Sequence, residues 1–231
     1  DNIQARSGIA ARNADAGGAP QFVRSVLCDK VVGLYLAMSV AAALVHRERT
    51  GEGQSIEVPM LETMAGFMLA EHLAGHTMTP AQGDIGDQRL MSKHRRPFKT
   101  ADGHMAIMPY STKQWIRFLE LVGETSLAGQ AWVSNGAERS NRIDELYELI
   151  AQVAVERTNV QWLEDLGRID VPCAVVNELS QVLADPQLSA TGLLGTFSDQ
   201  DVGDLHYLKP AFITDKGCLL YTSPSPRDEQ S

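Results

Sequence analysis

The most apolar stretch of the chain covers residues 31–45 and predicts a long helix. Asp29 precedes this stretch, Arg47 and Arg49 follow it, and Gly51 comes directly after them. An acidic residue before the first turn, cations in the last turn and a glycine just beyond are typical of helix boundaries. We therefore expect Asp29 to cap a helix that ends near Gly51. Because the stretch is shorter than the about 18 residues of a membrane-spanning helix, we expect it to be buried in a protein core.

Shorter patterns around Pro59 predict an α/β layered domain. Residues 55–58 alternate polar and apolar side chains and stop at the proline, which is typical of a strand. From residue 60 to residue 73 the apolar positions return to helical spacing. The order helix, turn, strand, helix favours an α/β arrangement.

The second half of the chain predicts a hairpin followed by helices. Residues 76–93 are rich in Gly, Asp, Gln and Pro and indicate a linker. Asp102 and Gly103 lie between two short runs, a pattern typical of a β-hairpin over 97–108. Beyond the hairpin we expect helices at about 112–122, 140–156 and 159–167, a strand at 171–176, and a short helix at 178–184 that stops at Asp185 and Pro186. The apolar positions predicted to face the core of the first of these helices are Trp115, Phe118, Leu119 and Val122.

The amino-acid composition limits the classes of protein to which the chain can belong. Twenty Lys and Arg against twenty-nine Asp and Glu give a net charge of −9, with 44% hydrophobic and 21% charged residues. This is the balance of a soluble globular protein, and it argues against nucleic acid or an anionic membrane as partners. Three scattered cysteines, Cys28, Cys173 and Cys218, do not form a disulfide framework and favour a reducing compartment. We therefore expect a cytoplasmic protein.

Neither end of the chain has the pattern of a natural terminus. The first residue is not Met, and residues 217–231 form a Ser- and Pro-rich tail without periodicity. We expect this tail to be foreign to the fold and the chain to be a fragment of a longer protein.

Asp29 is the first candidate for chemistry, and two interpretations stay open from its position alone. Aspartate is among the commonest helix N-caps. A carboxylate at the positive end of a helix is also favoured in its ionised form and can act as a nucleophile or general base.

A second candidate is a metal site at Glu71, His72 and His76. The two histidines are four residues apart on one helical face, a spacing that metal sites use. The His-Glu-x-x-His order of hydrolytic zinc enzymes is missing, so two solvent-facing histidines at a helix end are the favoured interpretation. A metal-dependent hydrolase remains the alternative.

Two smaller features are best interpreted structurally. The basic cluster, defined here as Lys93, His94, Arg95, Arg96 and Lys99, is expected to be a solvated face, with phosphate contact as the alternative. Cys28 is expected to be a buried, unreactive thiol.

Several segments in order resemble the family III CoA-transferases. The first runs from Asp29 through the apolar stretch to Thr50, Gly51 and the residues up to Glu62. Three further stretches are similar to family segments: residues 4–8, the Arg-Pro-Phe-Lys-Thr-Ala-Asp-Gly stretch at 96–103, and residues 171–176 with 184–187. The resemblance covers about residues 1–216.

The resemblance implies an α/β fold in which part of a Rossmann-like large domain is linked to a smaller α+β domain. Residues 1–60 would be the C-terminal part of the first half of the large CoA-binding domain, and residues 61–92 a linker. Residues 93–178 would be the small domain, and residues 179–216 a return linker. Two full-length subunits are expected to form an interlocked homodimer.

The resemblance also implies a reaction and its residues. Asp29 matches the catalytic aspartate, and Gln4, Ala5 and Arg96 are candidates for substrate binding. The expected activity moves CoA from an acyl-CoA thioester to a carboxylic acid through aspartyl anhydride and aspartyl-CoA thioester intermediates. A CoA thioester is then the substrate, with no metal and no permanently bound cofactor.

Two further alternatives to the transferase remain beside the metal-dependent hydrolase. The related α-methylacyl-CoA racemases use a His–Asp pair, whose histidine is expected just before Asp1, and a glutamate expected shortly after the hairpin. Residues 109–115 contain no acidic side chain, which favours the transferase. An inactive fragment is the other alternative, because the apolar helix would lack partners.

Overall fold

The computed structural model describes residues 1–14 and 18–211. The predicted tail at 217–231 lies outside the described residues. The chain divides into two compact units, one from Asp1 to Val175 and a second that begins at Val176.

The first part of the larger unit is helical. Its elements are α1 (Asn2–Arg6), α2 (Ile9–Arg12), α3 (Leu27–Thr50), α4 (Met60–His72), a 3₁₀ helix (Ala74–Thr77) and α5 (Gln88–Met91). The helix predicted over 60–73 is confirmed as α4. The segment predicted as a linker at 76–93 holds the second half of the 3₁₀ helix and all of α5.

The long helix α3 begins earlier than predicted. Val26 is its N-cap residue, so Asp29 lies inside the first turn and makes no capping hydrogen bond. The prediction that Asp29 is the N-cap is therefore wrong, because the chain already turns helical at Leu27. The predicted end is confirmed, since Gly51 adopts a left-handed conformation with φ 78° and donates its N–H to the Arg47 carbonyl.

Most of α3 is exposed, which corrects the expectation of a buried core helix. Only Cys28 and Val32 are buried, while Leu34 is 72% exposed. The physical reason is that the described part of the chain packs against only a small part of the helix surface. By length and composition α3 could cross a membrane, a test that core helices of soluble proteins also pass.

The strand predicted at 55–58 is wrong. A strand needs a hydrogen-bonded neighbour, and none of the described strands pairs with this segment. Val58 instead packs beside a small core formed by Ile9, Cys28, Val32 and Met64. This core holds α1, α2, α3 and α4 together, and it confirms that Cys28 is buried.

The second part of the larger unit combines a three-stranded sheet with helices. The elements are β1 (Phe98–Lys99), β2 (His104–Ile107), α6 (Thr112–Leu121), α7 (Thr125–Ala128), α8 (Ala131–Ser134), α9 (Gly136–Asn141), α10 (Ile143–Ala154), α11 (Asn159–Arg168) and β3 (Cys173–Val175). The sheet order is β1-β2-β3 and both pairs are antiparallel, with Phe98 opposite Met105 and Ile107 opposite Cys173. The predicted hairpin and the strand near 171–176 are confirmed, and so are the helices, with α10 beginning three residues later than predicted.

The sheet and helices enclose the main core of the chain. Trp115, Phe118 and Leu119 are buried, as their helical spacing predicts, while Val122 is partly buried at the edge. The Phe118 and Trp162 rings stack at 6.3 Å, and the Trp162 indole N–H donates to the Ala154 carbonyl at 2.9 Å. These contacts make the sheet and its helices a rigid unit that supports the surrounding loops.

The second unit contains two short helices and a hairpin. They are α12 (Leu179–Val182), α13 (Pro186–Thr191), β4 (Leu194–Asp199) and β5 (Gly203–Leu208). Asp185 caps α13 by accepting the backbone N–H groups of Gln187 and Leu188. The short helix predicted at 178–184 is confirmed as α12, which ends before Asp185 and Pro186. These two residues also begin α13, because proline fits the first turn of a helix.

Candidate active site

Asp29 is presented at the start of α3 on the protein surface. Its side chain is exposed, and it lines an open cavity of about 340 Å³. The other lining residues come from α1, α3 and the start of α4: Asp1, Asn2, Ile3, Cys28 and Met60. A ligand from solvent can therefore reach the carboxylate without any movement of the core.

The helix start gives Asp29 a positive backbone environment. The first hydrogen bond of α3 runs from the Lys30 N–H to the Val26 carbonyl at 3.1 Å. The backbone N–H groups of Leu27, Cys28 and Asp29 therefore have no partner inside the helix. Such groups attract negative charge and can hold an oxyanion.

No basic side chain neutralises Asp29 within the described residues. The neighbouring Lys30 amine donates instead to the Ser25 hydroxyl at 3.1 Å. None of the ion pairs found in residues 1–14 and 18–211 includes Asp29. The carboxylate is therefore available to accept hydrogen bonds from a ligand.

Gln4 fixes the segment that leads into α3. It is 2% exposed, and its Oε1 accepts the Val23 N–H at 2.9 Å. Its Nε2 donates to the carbonyls of Val23 at 3.3 Å and Ser25 at 3.4 Å. The side chain predicted to bind substrate is thus engaged with the backbone just before Asp29, and substrate contact by Gln4 stays a prediction.

The other substrate-binding candidates lie at the surface. Ala5 is exposed on α1, directly after Gln4. Arg96 is exposed just before β1, and it is not among the residues that line the Asp29 cavity. The structure places Gln4 and Ala5 on the helix that borders this cavity, and it places Arg96 beside the hairpin.

The predicted metal ligands are not assembled into a site. The Nδ1 of His72 accepts the backbone N–H of Asp87 at 3.2 Å, and its Nε2 lies 3.8 Å from Glu71 Oε1. His72 is therefore largely buried, not solvent-facing as expected, while His76 is exposed in the 3₁₀ helix. The described residues contain no group of three His, Cys, Asp or Glu side chains placed to hold a metal ion.

The segment after the hairpin is used for helix capping. Ser111 accepts the Gln114 N–H at 3.2 Å, and Gln114 Oε1 accepts the Ser111 N–H at 3.1 Å. This reciprocal capping box begins α6. In the segment where the racemase alternative predicts a glutamate, the chain therefore has Gln114, whose side chain accepts a backbone hydrogen bond at the start of its own helix.

Two features were not predicted from the sequence: the hydrogen bonds of Gln4 near the Asp29 cavity, and the surroundings of Arg95 in the basic cluster. The hydrogen bonds of Gln4 with Val23 and Ser25, called the Gln4 clamp here, join residues about twenty positions apart, and no local pattern signals such a contact. Arg95 lines a second cavity with Arg89 and Arg139, which come from distant parts of the chain. Only a basic cluster in an acidic chain hinted at it.

Comparison with known proteins places the chain in a family. A sequence profile of CoA-transferase family III matches residues 1–230. The succinate–glutarate CoA-transferase of Agrobacterium fabrum (strain C58 / ATCC 33970) is 24% identical over 231 residues, covering 97% of this chain and 56% of that protein.

Two solved structures share the fold. Rv3272 from Mycobacterium tuberculosis, crystallised as an aspartate-to-alanine mutant, superposes with a TM-score of 0.75 at 21% identity, covering 94% of this chain and 56% of the other. A CaiB/BaiF family protein from Brucella suis superposes with a TM-score of 0.67 at 23% identity, covering 94% and 56% respectively.

These matches confirm the resemblance carried by the four sequence segments. The mixed helix and strand architecture is that of the two solved structures. The chain spans about half the length of the curated relatives that it matches. Because the family profile covers nearly every residue, the chain belongs to CoA-transferase family III.

Proposed function

We propose that Asp29 is the nucleophile of a CoA-transferase that moves CoA from an acyl-CoA thioester to a carboxylic acid. The observation that carries the proposal is an exposed carboxylate without an ion-pair partner in the described residues, set in the first turn of a long helix beside an open cavity. A nucleophile needs access to the substrate and a free electron pair, and Asp29 has both.

The first half-reaction opens the donor thioester. An oxygen of the Asp29 carboxylate attacks the thioester carbonyl carbon, a C–O bond forms and the C–S bond breaks. This leaves a mixed acyl–aspartyl anhydride and the CoA thiolate. The backbone N–H groups at the start of α3 are suited to hold the negative oxygen that develops during this attack.

The second half-reaction passes CoA to the acceptor. The thiolate attacks the aspartyl carbonyl, which gives an aspartyl-CoA thioester and releases the donor as a carboxylate. The acceptor carboxylate then attacks this thioester and forms a new anhydride, and the thiolate finally attacks the acceptor carbonyl. Asp29 is regenerated, and no cofactor or metal enters the balance.

We further propose a Rossmann-like large domain and an interlocked homodimer for the whole protein, located in the cytoplasm. The exposed apolar side chains of α3 support burial of this helix against further protein, because isolated globular surfaces rarely carry so extended an apolar face. The acidic composition supports the absence of nucleic acid or an anionic membrane among the partners.

The donor and acceptor are proposed as acyl-CoA and a small carboxylic acid. The curated relative from Agrobacterium fabrum is named for succinate and glutarate. We propose short dicarboxylates of this kind as the first substrates to test here.

Trapping the covalent intermediate tests the proposal. The full-length protein is mixed with succinyl-CoA and then hydroxylamine, which converts an activated aspartyl carbonyl into a hydroxamate. Peptide mass spectrometry is expected to place the hydroxamate on Asp29 and to find none in Asp29→Ala. The matched control is Glu62→Gln, which removes an exposed carboxylate from the first turn of α4 and should leave the trapping unchanged.

Two other outcomes would redirect the assignment. A hydroxamate on a different residue would remove Asp29 from the nucleophile role. No adduct with any acyl-CoA, together with exchange of the α-proton into deuterated solvent, would favour the racemase alternative.

A further inference from the structure

A second cavity lies in the part of the chain that contains the sheet. It encloses about 200 Å³ and is bordered by three arginines, Arg89, Arg95 and Arg139. They come from α5, from the loop before β1 and from α9, so only the folded chain brings them together. No carboxylate is among the described residues that line this cavity.

Two of the three arginines lack an acidic partner in the described residues. Arg89 has one: its Nε donates to Asp87 Oδ1 at 3.3 Å, and one terminal nitrogen donates to Asp87 Oδ2 at 2.9 Å. Neither Arg95 nor Arg139 takes part in any of the ion pairs found there. A cation placed in a partly buried site without a counter-charge is costly, and an anion from solvent relieves that cost.

Arg139 is held in position, while most of its donors have no partner among the described residues. One terminal nitrogen donates to the Thr112 hydroxyl at 3.1 Å and to the Val133 carbonyl. A guanidinium carries five N–H donors, so the other terminal nitrogen and Nε retain theirs. Burial lowers the pKa of Arg139, which is the direction expected for a cation that is partly withdrawn from water.

Arg95 shares the wall of this cavity with a buried tyrosine. Tyr147 is 4% exposed and borders the same cavity. Burial raises the pKa of Tyr147, so its hydroxyl stays neutral and cannot serve as the counter-ion of Arg95.

The other side chains that line the cavity indicate which kind of anion fits it. Met108, Pro109, Trp115 and Ile143 give the cavity apolar sides, and Tyr110 and Ser140 add hydroxyl groups. Apolar walls suit a carbon chain, and guanidinium forks match the planar geometry of a carboxylate. We propose that this cavity binds the carboxylate of a small organic acid through Arg95 and Arg139. The proposal does not depend on the role of Asp29.

Ligand protection against arginine modification tests the site residue by residue. The full-length protein is treated with butanedione in the presence of succinate, inorganic phosphate or neutral succinamide at one ionic strength, and modified arginines are located by peptide mass spectrometry. Succinate is expected to slow the modification of Arg95 and Arg139 several-fold. Arg49, which is exposed in the last turn of α3 and does not line the cavity, is the internal control and should react at an unchanged rate.

Variants and competing ligands complete the test. Arg95→Gln should weaken succinate binding, measured by calorimetry, by about tenfold or more, because a charge-assisted pair is lost. Arg95→Lys keeps the positive charge but loses the planar guanidinium, so it should weaken succinate binding less than Arg95→Gln does. Lys93→Gln should have no effect on succinate binding. Asp29→Ala should keep the protection, which separates this site from the proposed nucleophile. Equal protection of Arg49, stronger protection by phosphate than by succinate, or none by succinate would each overturn the proposal.

Discussion

Gln4 and Val23 form a two-point pairing between a side-chain amide and a backbone peptide. The Val23 N–H donates to Gln4 Oε1 at 2.9 Å, and Gln4 Nε2 donates to the Val23 carbonyl at 3.3 Å. The pairing mimics one rung of a β-sheet in a segment that has no neighbouring strand. Because it lies just before α3, it fixes where the helix that carries Asp29 begins.

Replacing Gln4 by alanine should therefore destabilise the protein and reduce the activity together. Gln4→Ala leaves the partly buried Val23 N–H without this partner, which costs about 1–3 kcal/mol. Urea unfolding measures this loss. Ala5→Ser, at the exposed neighbouring position on α1, is the control and should change stability by less than about 0.5 kcal/mol. A Gln4→Ala protein as stable as the parent would show that the pairing is dispensable.

Sequence patterns predicted the elements that carry their own boundary signals. The left-handed Gly51 and the turn around Asp102 and Gly103 were correctly placed, because each depends on a few adjacent residues. The start of α3 and the missing strand at 55–58 were not predicted. Both depend on neighbours in space: the Gln4 clamp at the helix start, and a partner strand that the described residues do not provide.

The candidate site was predicted only in part for the same reason. Asp29 was found through the resemblance, and its position at a helix start followed from the apolar stretch. The cavity with Arg89, Arg95 and Arg139 joins residues about fifty positions apart, so no spacing along the chain could have assembled it.

Asp29 should matter far more for activity than for stability. Its side chain makes no capping hydrogen bond, so Asp29→Asn should remove only its interaction with the helix dipole, about 0.3–1 kcal/mol. Loss of the nucleophile should reduce transferase turnover by several orders of magnitude. Thermal melting and a coupled acyl-CoA assay measure the two effects. A large loss of stability would instead identify Asp29 as a structural residue.

The turn of the β1–β2 hairpin should prove structural rather than catalytic. Asp102 Oδ1 accepts the Asn159 N–H at 2.8 Å, and the buried Thr100 hydroxyl donates to Asn159 Oδ1 at 2.7 Å. Asp102→Ala should therefore cost about 1–2 kcal/mol, because it removes the acceptor that begins α11. Asp84→Ala, at an exposed aspartate whose side chain accepts no hydrogen bond from the described residues, is the control and should cost less. If Asp102→Ala lowered turnover with stability intact, the hairpin would have a catalytic role.

Metal removal should leave the protein unchanged. His72 accepts the Asp87 N–H through Nδ1, so this hydrogen bond to the backbone explains its structural role without a metal ion. Chelation with EDTA is expected to change neither the melting temperature nor the activity. His72→Leu should destabilise the protein by about 1–3 kcal/mol because the Asp87 N–H loses its acceptor, while exposed His76→Ala should have little effect. Stoichiometric zinc in the purified protein, lost in both variants, would restore the hydrolase alternative.

The ion pair between Asp87 and Arg89 should give the protein a pH-dependent increment of stability. The side-chain hydrogen bond from Arg89 holds the pKa of the Asp87 carboxyl below its ordinary value. The hydrogen bonds from the backbone N–H groups of Leu90 and Arg89 act in the same direction. A group with a lowered pKa in the folded state stabilises the protein above its unfolded pKa of about 3.9, and this increment disappears as the pH falls through the folded value.

Asp87→Asn isolates that increment, since asparagine also caps helices well and only the charge is lost. The variant should be less stable than the parent at pH 7, by less than about 1 kcal/mol because Arg89 is largely exposed. Urea unfolding at pH 7, 5, 4 and 3 should show the gap unchanged down to about pH 4 and narrowing below it. Arg89→Gln should reproduce the same profile, and Asp84→Asn, an exposed aspartate nearby, should show none. A gap that stayed constant through the acid range would mean that the pair contributes no charge-dependent stability.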